Sequence, residues 1–237
     1  MKHNYSCILC SDSFLSTKEV MYDLCTECYA FLEEQFFNNI FKKNCPTCCL
    51  PLLTENNCVN CSEQIKSVID NKQTCFLYTG LIKELIIYYK FRNIIQLSEF
   101  FSHYILKALG DLKNHIILIP IPGNSKNIKK RGWDQVLEIA KRIKNERIVV
   151  HVLLKQKKKH KQQKTLDKSQ RIIQAKNKFT IDKKILENVL TDLQSFGQYK
   201  IFLIDDIITT GATLESAATV LIDALKVPIH AITLAMD

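Results

Sequence analysis

From residue 75 onward, short apolar runs alternate with stretches in which apolar residues recur every three or four positions. The first pattern suits buried parallel strands and the second amphipathic helices, so their alternation predicts an α/β domain with a parallel sheet flanked by helices. Strands are expected at 75–78, 116–120, 148–154, 179–181, 201–204 and 229–234. Helices are expected at 81–91, 96–109 and 184–193, and around Trp133, Val136, Leu137, Ala140 and Ile143. Leu214, Ala217, Ala218, Leu221 and Leu225 keep helical spacing after the fifth strand and should pack back on the sheet. Upstream the pattern changes. Residues 1–62 hold one amphipathic stretch, 27–41, set among cysteines, and 63–74 is a polar linker. The expected organisation is a cysteine module (1–62), a linker (63–74) and the α/β domain (75–237), which a chain of 237 residues can accommodate.

The exit of the strand at 201–204 carries the most chemistry. Asp205 and Asp206 follow the apolar run and are expected to end it, and Thr209, Thr210, Gly211, Ala212 and Thr213 then open a helix. Two adjacent carboxylates leaving a buried strand are costly unless a ligand uses them; vicinal ribose hydroxyls or a Mg²⁺-bound ligand are suitable partners. Gly211 permits a tight turn, and backbone N–H groups with threonine hydroxyls can surround a phosphate at the helix start. The plainer alternative is a capped helix after a strand, with Asp and Thr as turn and cap residues. The loop lacks the Gly-Lys-Ser/Thr ending of a Walker A sequence, and the chain has no G-x-G-x-x-G fingerprint. The run IFLIDDIITTGATL at 201–214 resembles the phosphoribosyl-diphosphate (PRPP) signature of type I phosphoribosyltransferases. That resemblance implies ribose hydroxyls at Asp205 and Asp206, and a 5′-phosphate within the loop from Thr209 to Thr213.

Ten cysteines occur, eight of them in four C-x-x-C pairs: Cys7/Cys10, Cys25/Cys28, Cys45/Cys48 and Cys58/Cys61. Two such pairs complete a closed tetrahedral Cys₄ zinc site of the structural type, so two zinc ions are expected. The second half has the short hairpin spacing of a zinc ribbon, whereas the longer insert of the first leaves its pairing open. Disulfides or a redox C-x-x-C are the alternatives; the opening MKHNYSCILC has no apolar signal core, which favours a reducing cytosol. Cys49 can replace Cys48 as a ligand, and Cys75, within an apolar run, reads as a small core residue. No apolar run approaches the ~18 residues of a bilayer span, so a soluble, cytoplasmic protein is expected.

The formal net charge is +9. Each Cys₄ zinc site carries about −2 once its thiols ionise, which leaves a net of roughly +5. Lysine outnumbers arginine 28 to 5, so the basic total alone says little about nucleic acid. Residues 155–164 hold six lysines and a histidine without an acid, a composition typical of a solvated loop.

Taken together, the motifs resemble the ComF family of competence proteins over nearly the whole chain. The resemblance rests on the cysteine pairs; on Tyr78-Thr79-Gly80 with Tyr89-Lys90-Phe91-Arg92; on Ile119-Pro120-Ile121-Pro122 with Lys130-Arg131-Gly132-Trp133-Asp134-Gln135; on Gln163, Leu166 and Arg171; and on the PRPP-type run. Trp133 and Asp134 stand where the family usually has Phe and Asn, and Gln174 where it has Asn. Asp134 sets a negative charge near the expected pyrophosphate loop. Arg92, Arg131 and Arg171 lie inside these blocks in a chain that otherwise prefers lysine, which suggests a need for bidentate phosphate contacts.

The resemblance implies a double zinc ribbon joined to a type I phosphoribosyltransferase-like sheet, and two readings of function. One is handling of incoming single-stranded DNA during natural transformation, with a helicase-like competence partner; Lys157, Lys158, Lys159 and Lys161, with residues 126–131, would track phosphates. The other is an active phosphoribosyltransferase in which a nitrogen acceptor displaces pyrophosphate from C1 of PRPP. Asp205 and Asp206 would then hold the ribose, Mg²⁺ with Arg131 the pyrophosphate, and a loop at 155–171 bearing Arg171 would close over the site. No residue set identifies an acceptor, and no cysteine is placed as a terminal nucleophile for glutamine hydrolysis.

Overall fold

The computed structural model describes residues 4–15, 24–36, 45, 67–110, 112–143, 145–157, 178–195 and 197–237. Its elements, in chain order, begin with an antiparallel pair, β1 (Asn4–Ser6) and β2 (Ser13–Leu15), and helix α1 (Thr26–Glu34). Next come β3 (Lys72–Leu77), α2 (Gly80–Phe91), α3 (Leu97–Leu109), β4 (His115–Pro120), α4 (Ser125–Arg131), α5 (Gln135–Arg142) and β5 (Ile148–Val150). The remaining elements are β6 (Leu154–Gln156), β7 (Phe179–Ile181), α6 (Lys183–Ser195), β8 (Tyr199–Ile208), α7 (Ala212–Leu225) and β9 (Ile229–Met236).

The main sheet has the order β3-β9-β8-β4-β5, and all its pairs are parallel. Strand alternation sends Ile116, Leu118, Phe202, Ile204, Ile232 and Leu234 to one face, which α2, α3 and α5 cover. Ile117, Ile119, Ile201, Leu203, Ile229 and Ala231 point to the other, where α6 and α7 pack. As the helical spacing requires, Leu214, Ala217, Ala218, Leu221 and Leu225 are the apolar residues that α7 buries. Cys75 is fully buried, its thiol pushed up by that burial, and it donates to the carbonyl of Tyr104.

Four expectations change. Residues 148–154 do not form one strand: after Val150 the chain leaves the sheet, and Leu154–Gln156 pairs antiparallel with Phe179–Ile181. Residues 179–181 therefore do not rejoin the main sheet; Leu154 and Phe179 bury one side of this small hairpin against the second face. Asp205 and Asp206 do not end β8 either. β4 stops at Pro120, opposite Ile204, but β9 continues and pairs Asp205 with Thr233 and Ile208 with Met236. Finally, the helix expected over 27–41 ends at Glu34, where the Gln35 N–H is shared among the carbonyls of Phe31, Leu32 and Glu33. Phe36 then turns inward, its ring 5.8 Å from Phe76 and 5.3 Å from Tyr104; residues 37–44 lie outside the described residues.

Leu24, Leu32 and Phe36 thus join the first-face core. Beside them Glu33 accepts hydrogen bonds from Tyr104 Oη at 2.6 Å, from Tyr29 Oη at 3.2 Å and from Lys107 Nζ. Burial opposes the Glu33 charge, yet these donors hold its carboxyl below the usual range. Among the described residues no helix is long and apolar enough to cross a membrane.

Candidate functional site

At position 205 the sheet separates two neighbouring acids. Asp205 follows Ile201 and Leu203 in strand parity and lines a small concavity with Ile207, Ile208 and the loop from Thr209 to Leu214. Gly211 has φ +73°, which only glycine adopts without strain, and it ends the loop as the N-cap of α7. Gly211 offers that helix no side-chain cap, and Thr210 Oγ1 accepts only a long 3.4 Å bond from the Ala212 amide, so the first turn presents amide groups and the positive end of its dipole beside exposed Thr209 and Thr210. Burial and then the adjacent Asp206 charge hold the Asp205 carboxyl well above the usual carboxylate range, despite a 2.9 Å bond from the Asp206 amide. Cations or hydroxyl groups brought to this carboxyl would relieve that strain on its charge.

Asp206 follows Phe202 and Ile204 to the opposite face. It is buried, pairs with Lys90 Nζ at 2.9 Å and accepts from Gln135 Nε2 at 2.9 Å. Gln135 in turn accepts from Arg131 Nη1 at 2.7 Å, and the Arg131 guanidinium lies 5.1 Å from the Trp133 ring centroid. The chain thus runs Lys90, Asp206, Gln135, Arg131, and joins α2, β8, α5 and α4.

The loop after β4 is braced from the same side. Asp134 caps α5 through the amides of Val136 and Leu137 and accepts from the Gly123 amide at 2.7 Å. A Cβ on Gly123 would come within 3.1 Å of Gln135 Oε1, which is why glycine stands there. The charge of Asp134 is therefore spent on three backbone N–H groups.

In the cysteine module, the side-chain sulfurs of Cys7, Cys10, Cys25 and Cys28 all lie within 4.8 Å of one another. The first two C-x-x-C pairs thus come together as one four-cysteine cluster able to hold a metal such as zinc. A tetrahedral zinc–thiolate site needs sulfurs about 3.8 Å apart, and Cys10 and Cys25 stand at 3.7 Å. Cys25 also caps α1 by accepting from the Cys28 amide at 3.5 Å. As bare thiols the four cannot ionise together. Against burial, backbone donors lower Cys7 to about 7, whereas burial and neighbouring sulfurs push Cys28 far up. A divalent cation is the group that reconciles four crowded thiolates.

Of the other expected residues, Cys45 is described and buried. Cys48, Cys58 and Cys61, and hence the second zinc site, lie outside the described residues, as do Arg171, Lys158, Lys159 and Lys161. Lys157 is exposed just after β6, its amide bonded to the carbonyl of Lys178. Sequence reasoning assigned no role to Lys90 or Gln135. The signal for Lys90 was its place four residues after Ile86, on the apolar stripe of α2, where a lysine needs a buried acid.

A parallel five-stranded sheet with helices on both faces, an acid-and-threonine loop at its carboxyl edge and a separate four-cysteine cluster define a phosphoribosyltransferase-like α/β protein with a cysteine module. No family model matches the chain. Over 246 aligned residues it is 27% identical to the competence protein ComFC of Bacillus subtilis (strain 168), covering 94% of this chain and 91% of that protein. Over 207 residues it is 26% identical to the competence protein ComFC of Streptococcus pneumoniae (strain ATCC BAA-255 / R6), covering 85% and 82%. The chain is homologous to these ComFC competence proteins.

Proposed function

We propose that the concavity at the carboxyl edge of β8 binds the ribose 5-phosphate portion of PRPP or a related ligand, and that the protein handles incoming single-stranded DNA in the cytoplasm during natural transformation. The observation that carries the ligand is the placement of Asp205 and the glycine-led start of α7 on one concavity. The phosphate would sit among Thr209, Thr210, Gly211, Ala212 and Thr213, and Asp205 would take the ribose hydroxyls, with Mg²⁺ as a hard cation suited to these oxygen donors. Asp206 would act from the other face, where through Gln135 it aims Arg131 at a pyrophosphate. The DNA role rests on homology to competence proteins. Lysines 157, 158, 159 and 161 with α4 are the proposed phosphate contacts, and a helicase-like competence protein is the proposed partner.

The remaining assignments complete this reading: a module at 1–62, a linker from 63 and a domain whose sheet begins with β3, with a second zinc ion held by Cys45, Cys48, Cys58 and Cys61. Arg171 would serve a loop that closes over PRPP. Transfer chemistry is the second reading, favoured by the fixed fork of Arg131 on Gln135. In it the C1–oxygen bond to pyrophosphate breaks as a C1–nitrogen bond to the acceptor forms, and pyrophosphate release measures it. The ligand assignment is tested by thermal unfolding. PRPP with Mg²⁺ should raise the melting temperature, and Asp205→Ala should abolish that shift while the variant still unfolds cooperatively. No shift in the wild type would overturn the pocket.

A further inference from the structure

Phe91, at the end of α2, is the most exposed large apolar side chain among the described residues, with 75% of its surface open. It does not stand alone. Tyr88, one turn back on the same helix, carries the Arg92 guanidinium 4.5 Å from its ring centroid. The inward-facing Tyr89 packs 4.8 Å from the Trp133 ring, and Trp133 carries Arg131 at 5.1 Å. Beyond Arg131, α4 presents exposed Lys126, Lys129 and Lys130, none of which forms a salt bridge among the described residues. Lys90, beside Phe91, leads through Asp206 and Gln135 to Arg131, and this series of side chains links the aromatic end of α2 to the cationic α4 as the two ends of one strip. A residue pattern of this kind is hidden in the sequence, where α2 and α4 are separated by more than thirty positions and the lysine runs contain no aromatic.

We infer that this strip is the base-stacking surface of the protein: an unpaired base of single-stranded nucleic acid lies on Phe91 and the Tyr88–Arg92 pair, while its flanking phosphates run along Lys126, Lys129 and Lys130. The inference deepens the single-strand reading above and rests on it. The physical basis is complementarity. Aromatic rings bind any base face, guanidinium groups extend the stack, and lysines without acidic partners attract the backbone. Paired bases cannot reach such a surface, so it selects single strands without reading their sequence. A protein partner is disfavoured by the charge, since three uncompensated lysines next to two arginines would ask it for an acidic and aromatic surface at once.

Trp133 is the only tryptophan of the chain, so its fluorescence reports on this strip directly. Titration of the full-length, zinc-loaded protein with oligo(dT) should quench that emission, and a duplex of equal length should bind more weakly. Phe91→Ala should weaken oligonucleotide binding about tenfold or more, as loss of a stacked base does, with its salt dependence unchanged. Phe91→Tyr should restore binding. Combined Lys126→Ala, Lys129→Ala and Lys130→Ala should instead lower the salt slope by about 2. If wild-type protein binds no oligonucleotide at all, the single-strand reading itself fails. Should the wild type bind and Phe91→Ala bind equally, that reading stands and the stacking surface is refuted. Equal affinity for dTMP and oligo(dT), both dependent on Phe91, would also refute it, by making the strip a mononucleotide site.

Discussion

The two faces of the sheet are built from different material. On the first, Phe76, Tyr89, Phe100, Phe101 and Tyr104 are fully buried and meet edge-on or tilted, with centroids 4.8 Å apart for Phe76–Tyr104 and Phe100–Tyr104 and 5.2 Å for Tyr89–Phe101. On the second, the core is aliphatic apart from Phe179, and Ala217 and Ala218 bring α7 onto the strands. Small side chains seat a helix close, and a close helix delivers its amide end to the strand's carboxyl edge beside Asp205. The rings of the first face also take in Phe36 from the cysteine end of the chain, with Glu33 bonded to Tyr104 beside it. The same contrast explains why consecutive aspartates differ. Asp205 meets an open loop, and Asp206 meets a lysine and an amide held in place by aromatic packing.

The contrast can be broken from either side. The largest effect is expected from Phe101→Ala, which empties the centre of the aromatic cluster and should cost about 3–5 kcal/mol in urea unfolding; a loss under about 1 kcal/mol would mean that the rings are not the main support of that face. Ala217→Leu should cost about 1–3 kcal/mol by overpacking, and by lifting α7 it should also erase the PRPP thermal shift. A destabilised variant that keeps the full shift would separate helix seating from the loop.

Glu33→Gln addresses the docked module and should cost about 1 kcal/mol near neutral pH. Because the folded carboxyl titrates below its unfolded value, its contribution is present above the ordinary carboxylate range and fades as pH falls through the lowered one. Wild type and variant should therefore converge in acid, and parallel curves would refute a stabilising role for the Glu33 charge. The smallest effect is expected at Asp205, whose partly open side softens the penalty of its charge. Its folded pKa is raised, so stability is lost as pH climbs toward that value; unliganded Asp205→Asn should gain on the wild type over this window. A pH-independent difference would contradict the burial argument.

Much of this was readable along the chain. The apolar spacing of α7 and the short runs of β4 and β9 declared themselves, since period and burial coincide there. The cysteine spacing announced a Cys₄ cluster, although only the fold paired Cys7 and Cys10 with Cys25 and Cys28. The errors share a cause. Whether β8 stops at Asp205 depends on the length of β9, and whether 179–181 joins the sheet depends on where β6 lies; both are facts about a neighbour, not about the segment. The same holds for the site. Strand parity splits Asp205 from Asp206, yet their different partners appear only once α2, α5 and α7 are in place.

The strand order also has a consequence for how the molecule is assembled in time. β9 and β8 occupy the middle of the sheet, yet both follow β3, β4 and β5 in the chain. Strand β3 pairs only with β9, and β4 meets β8 on its inner edge, so the two halves of the sheet are joined only through that later segment. Synthesis from the amino end would leave two unpaired edges waiting, a state that invites either a chaperone or a mispairing. On that order, insertion of β8 and β9 would also form the loop from Thr209 to Thr213.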